Sequence, residues 1–226
     1  GENGVTAAMY APSSFTTTVN GQPLTVTETT DYPFDGSISF TFSLKKSTTF
    51  PFRFRIPGWA KGAVGRVNGK TLARKYTSQS FAEIKRKFRD GDRIELVFDM
   101  TPRVVTIEDQ GIYVERGPLL FSYAIPQTKV EDDVDYPNLN GKKSANTDFK
   151  SWSITPKGAF NYGVVPQRLT AKDVKVYVDE NKLKHAYPFD LKDTPVRITI
   201  PVRRLQWALE EGVRNPNLPA PGSPAL

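Results

Sequence analysis

Residues 50–60 read FPFRFRIPGWA, and their polarity alternates residue by residue. Phe50, Phe52, Phe54 and Ile56 fall on one face of an extended segment, and Arg53 and Arg55 fall on the other. Period-two alternation marks a strand with one buried face. Pro57-Gly58 stops the strand and Trp59 follows. The same alternation places Ile38, Phe40, Phe42 and Leu44 on one face of residues 37–44, and Ile94, Leu96 and Phe98 on one face of residues 93–98. Further strand runs cover residues 15–19, 24–30, 64–67 and 81–88. Asn20-Gly21, Asp35-Gly36, Asn68-Gly69 and Asp90-Gly91 punctuate these runs, each pairing a residue that tolerates positive φ with a glycine, as type I′ turns require. About eight short strands are expected before residue 107, with the even spacing of a sandwich or barrel.

Beyond Thr106 the pattern loosens. Residues 111–125 are rich in β-formers and are broken at Gly117-Pro118. Pro118 lacks a ladder donor, which places it at a strand start, an edge or a bulge. Residues 127–150 are polar and read as a long loop, a length that often carries function. Strand signals return at residues 152–154, 174–178 and 196–202. One short helix is expected over residues 205–211, and the proline-rich residues 215–226 read as extended and irregular. These elements predict an all-β chain of two antiparallel β-sandwich domains in tandem, residues 1–107 and residues 108–226.

Composition narrows the chemistry. The 226 residues hold no cysteine and one histidine, His185. Disulfides, thiolate nucleophiles and cysteine-held metals are absent from this sequence, and a single histidine cannot build a multi-histidine metal site. His185, in a polar segment, reads as a surface residue. The net charge is +7, concentrated in residues 1–107. Because basic residues there alternate with apolar ones along strands, they describe a solvated sheet face rather than a nucleic-acid site. No apolar run reaches the roughly 20 residues of a membrane-spanning helix. No leader is visible, and Gly1 reads as a cut rather than a native start, so compartment is not readable from the chain.

A glycosidase needs two carboxylates flanking the bond it breaks. Glu28, Asp31, Asp35, Glu83, Glu108, Asp109 and Glu115 are the acids available on paper, and sequence does not say which meet in space. Surface carboxylates in β-proteins mostly meet solvent or a basic side chain, so none is assigned a catalytic role. The acidic run Glu131, Asp132, Asp133 and Asp135 lacks the ordered ligand spacing of a calcium loop and reads as solvated; no metal or cofactor is expected. Trp59, Trp152 and Trp207 are candidates for stacking on sugar or for filling a domain interface. Arg116, just ahead of Gly117-Pro118, is a candidate for a fixed contact across a domain junction.

The order of short motifs carries a resemblance. YPFDG at 32–36, RIPGWA at 55–60, VNG at 67–69, DGD at 90–92, MTPR at 100–103 and ERGPLLF at 115–121 resemble glycoside hydrolase family 127. So do SWSITPKGAFNYG at 151–163, RRLQW at 203–207 and LPAPGSP at 218–224. That family includes β-L-arabinofuranosidases. The resemblance implies an (α/α)6 catalytic barrel followed by two β-sandwiches, of which this chain is similar to the sandwiches only. GVTAAMYAPSS at 4–14 resembles the strand that leaves the barrel. The family's catalytic glutamate and zinc-binding cysteines belong to the barrel and match nothing here. The implied role is a non-catalytic accessory region, with the barrel of the same parent chain as its partner. A second copy and carbohydrate stay open as further partners, and an autonomous carbohydrate-binding module is the alternative. A periplasmic or secreted parent follows from the same resemblance. A face that normally docks on a barrel is expected to leave an exposed apolar patch.

Overall fold

The computed structural model describes residues 4–107, 111–132, 151–164, 169–184 and 188–206. The chain divides into two compact units, one of residues 1–121 and 168–200, the other of residues 122–167 and 201–226. Strands in chain order are β1 (Val5–Ala7), β2 (Ser13–Val19), β3 (Gln22–Thr30), β4 (Ser37–Leu44), β5 (Thr48–Ile56), β6 (Ala63–Val67), β7 (Lys70–Thr71), β8 (Ser80–Phe88) and β9 (Arg93–Phe98). They continue as β10 (Arg103–Ile107), β11 (Gly111–Arg116), β12 (Leu119–Phe121), β13 (Gln127–Asp132), β14 (Ser151–Pro156), β15 (Tyr162–Gly163), β16 (Lys175–Val178), β17 (Val196–Thr199) and β18 (Arg203–Arg204). The described residues are all-β apart from two single-turn 3-10 helices.

Two sheets of unequal width make the first sandwich. One has six strands in the order β2-β3-β4-β9-β6-β7, the other three in the order β1-β5-β8. Their inner rows supply the core: Leu24 and Val26 from β3, Ile38, Phe40, Phe42 and Leu44 from β4, and Ile94, Leu96 and Phe98 from β9 meet Phe50, Phe52, Phe54 and Ile56 of β5. Phe40 and Phe42 pack on Phe52 with ring centroids 4.9 and 5.1 Å apart, and Phe50 stacks on Phe88 at 4.4 Å. Rings in these tilted and offset geometries add attraction beyond their buried area. Arg53 and Arg55 point outward as their alternation requires, and Arg53 pairs with Glu83 on the neighbouring β8 at 2.8 Å.

The turns divide into two kinds. At Asn20-Gly21 and Asn68-Gly69 both central residues have positive φ, as expected. At Asp90-Gly91 only the glycine does, with φ 76°. Asp35-Gly36 has no positive φ at all. Gly36 is there because a Cβ would lie 2.4 Å from the Phe98 carbonyl oxygen. Behind the Asp90-Gly91 turn, buried Asp92 accepts from Asn68 Nδ2 (2.8 Å) and Arg89 N (3.0 Å), tying two hairpins together. Burial opposes its charge, but these donors and Arg86 together hold the carboxyl below its ordinary range.

In the same unit, β10, β11 and β12 form an antiparallel sheet, with Pro118 in the turn just ahead of β12. β16 and β17 form a hairpin-like pair, and the loop that joins them sets Phe189 against Phe34, centroids 5.5 Å apart. In the second unit, β13 pairs with β14 and β15 with β18. The pairing of β13 corrects the reading of residues 127–150 as loop throughout. Thr128 and Val130 alternate with Lys129 and Glu131, and this polar strand finds its partner in β14. Residues 133–150 lie outside the described residues, as do His185 and residues 207–226. Of the span expected as a helix, Leu205 is extended, donating its N–H to the Asn161 carbonyl at 2.7 Å.

Candidate functional site

Two of the four candidate residues come together in the first unit. Trp59 follows β5 through the Pro57-Gly58 turn and is half-buried against the core. One face of its indole is stacked by Tyr32, centroids 6.4 Å apart and planes 21° apart. Its edge meets Phe98 at 5.6 Å. Arg116 ends β11 and donates from Nη1 to the Phe34 carbonyl at 2.7 Å. Burial lowers the Arg116 pKa from its ordinary value, and Asp35 opposes the shift. Gly117, next to it, is buried with φ 58°; a Cβ there would lie 2.5 Å from the Met100 side chain and 3.6 Å from the Trp59 ring. The YPFDG, PGWA, MTP and ERGP motifs therefore converge on one junction.

A polar cavity of about 60 Å3 opens at this junction, lined by Trp59, Lys61, Asp99, Thr101, Arg103 and Gly117. Two of its three charges are already engaged. Asp99 accepts from the Thr101 backbone and hydroxyl, which hold its carboxyl below the usual range, and Arg103 pairs with Glu115 at 2.6 Å. A space of this size takes a water or two, not a sugar ring.

Trp152 lies on β14 of the second unit and is 43% exposed. The Lys129 ammonium sits 4.2 Å from its ring centroid. Trp207 is outside the described residues. Among the acids, Glu83 and Glu115 are paired with arginines and Asp35 accepts the Ser37 N–H at 2.6 Å. Glu108 and Asp109 are not described. Among the described residues no group of three or more metal-ligating side chains converges, and no helix is long and apolar enough to cross a membrane.

Glu28 is different. It stands in the inner row of β3, between Val26 and Thr30, and is 9% exposed. Burial pushes its carboxyl up to about 7, although the Ala11 N–H, donating to Oε1 at 3.1 Å, works against that. It lines a second, apolar groove of about 270 Å3 together with Val5, Met9, Phe15, Val26, Phe40 and Phe52. The alternation in β3 places Glu28 on the core row with Leu24 and Val26; what it does not carry is the groove, which depends on the layer opposite.

Residues 4–100 match the family model described as the middle domain of GH127 β-L-arabinofuranosidase. The chain is 28% identical over 185 residues to a non-reducing end β-L-arabinofuranosidase of Bifidobacterium longum subsp. longum, covering 76% of this chain and 28% of that protein. Among solved structures, a GH127 β-L-arabinofuranosidase from Geobacillus stearothermophilus T6 shares the fold at a TM-score of 0.59 and 23% identity, over 98% of this chain and 29% of that one. A GH127 β-arabinofuranosidase gives 0.55 and 20%, over 92% of this chain and 30% of that one. The chain thus spans less than a third of the length of each. The family read from the motifs is the family these matches return, and residues 4–100 are similar to its middle domain.

Proposed function

We propose that this chain, carrying a GH127 middle domain in residues 4–100, is a non-catalytic accessory region of a β-L-arabinofuranosidase-like glycoside hydrolase. It packs on and orients the (α/α)6 catalytic barrel of the same parent. Residues 1–107 are its middle sandwich and residues 108–226 its C-terminal one; the family match to residues 4–100 supports the first part, while residues 111–121 and 169–200 pack into the same compact unit as that part. The observation that carries this reading is the junction around Trp59. The aromatic and cationic residues best suited to greet a sugar are spent internally: one Trp59 face on Tyr32, its edge on Phe98, and Arg116 on the Phe34 carbonyl. Such a site locks strands together; it does not present a platform.

The test is hydrolysis of aryl arabinofuranosides by this chain at micromolar concentration. No turnover above a blank is expected. Sustained turnover abolished by one carboxylate substitution overturns the reading. Trp152 favours a second reading, carbohydrate binding, because its ring is open to solvent in part. Calorimetry against arabinan, pectin and xylan decides it: heat of binding that Trp152→Ala removes supports a sugar module, and silence with all three dismisses it.

A further inference from the structure

The two sheets of the first sandwich differ in width, and the difference leaves a gap. β2 is the edge of the six-stranded sheet, and its inward row is buried at Val19 but exposed at Ser13 and Phe15. The opposing sheet ends at β1, only three residues long. Phe15 shares the inner face with Val26, its register partner, yet is 46% exposed. Met9, on the other rim, is 81% exposed. Val5, Val26, Phe40 and Phe52 make the apolar floor of the groove between these rims. Ser13 of β2 is the register partner of Glu28, so the carboxylate lies at the end of the same uncovered row.

A buried carboxylate is ordinarily matched by a cation or several donors. Glu28 has the Ala11 N–H, and among the described residues it has no ion-pair partner. The groups facing it are the Tyr10 phenol, which donates to the Arg55 carbonyl, and beyond it Tyr32 and Arg55. Arg55 is turned away: its Nε donates to the Ala8 carbonyl at 2.7 Å. The groove therefore offers an apolar trough closed by one uncompensated acid. We propose that it receives a lysine or arginine side chain from the polypeptide that covers this edge of the sandwich, the aliphatic stem lying along Phe15 and Met9 and the cationic head meeting Glu28. Long basic side chains are built for such a trough, since the stem is apolar and the charge is at the tip. This deepens the accessory reading, with the catalytic barrel as the polypeptide concerned.

Met9 and Met100 are the two methionines of the chain, and only Met9 lines the groove. Methyl-labelled methionine therefore reports the site with its own internal control. Titration with n-butylguanidinium at pH 8.5 is expected to shift the Met9 methyl saturably and leave Met100 still. n-Butanol is expected to bind at least tenfold more weakly, and Glu28→Gln to weaken the guanidinium by a similar factor. Equal responses to the alcohol and the cation, or no effect of Glu28→Gln, overturn the proposal, as does a silent Met9. Should Glu28→Gln fold poorly, Phe15→Ser, which leaves the carboxylate, must still weaken the cation. The accessory reading is tested apart, by mixing the chain with a separately produced GH127 catalytic barrel. Docking that Glu28→Gln leaves unchanged sinks the groove and keeps the reading. Probe capture without docking does the reverse.

Discussion

Glu28 occupies a position that alternation assigns to the core, between Val26 and Thr30 on the inner row of β3. Folding takes its carboxyl from an ordinary value of 4.5 up to about 7, chiefly through burial. Between those two pH values the folded chain holds the proton more tightly than the unfolded one. The group's contribution to stability is therefore complete below about pH 4.5 and declines as pH rises through 7, by on the order of 1–3 kcal/mol. Urea midpoints of the parent sequence, corrected by those of Glu28→Gln, are expected to show that decline, because the amide keeps an acceptor for Ala11 N–H and cannot ionise. Parallel curves for the two proteins across this range would place the acid in water. The pattern of residues 24–30 was legible as a strand with one buried face. What it could not contain was the width of the sheet opposite, and that width is what leaves Glu28 facing a groove.

At the scale of the element, strands were read well and the reasons for glycines less so. Period-two alternation in residues 37–44, 50–56 and 93–98 is the direct imprint of the pleat on a half-buried sheet, so it found β4, β5 and β9. The Asx-Gly pairs look alike in sequence, yet they work differently. Asn20-Gly21 and Asn68-Gly69 need positive φ, whereas Gly36 needs the absence of a side chain where β4 begins beside Phe98. Gly36→Ala puts a methyl against a backbone carbonyl that cannot swing aside, so a loss of about 1–3 kcal/mol is expected. Gly58 has open space around its Cβ position and no positive φ, and Gly58→Ala is expected to be neutral or slightly stabilising. Chemical denaturation of both variants checks the contrast; equal effects would mean that the β4 entry yields easily. The miss at β13 has the opposite cause. Its residues are polar on both faces, and a strand of that kind is defined by its partner β14 rather than by its own composition.

At the scale of the whole molecule, the core of the first sandwich draws on no described residue beyond Phe98. Every residue of that buried core lies between Val5 and Phe98, and so do the partly buried residues packed on it. The contacts it would lose on truncation after residue 107 include Arg116 on the Phe34 carbonyl, Glu115 on Arg103, Gly117 beside Met100, and Phe189 on Phe34, none of them within the core. β10 would lose β11, its partner over all five residues, and fray. A chain of residues 1–107 is therefore expected to fold alone, melting in one cooperative step at a lower temperature than the full chain, with dispersed amide signals from β2 to β9 and collapsed ones from residue 103 onward. Its core of opposed phenylalanine rows is large enough for that, since packed apolar area is the dominant favourable term in folding. If the truncated chain instead binds hydrophobic dye and melts without a transition, the junction around Trp59 and Arg116 is part of the folding unit. The proposed division at residue 107 would then fail, and residues beyond it would belong to the same cooperative unit as the phenylalanine core.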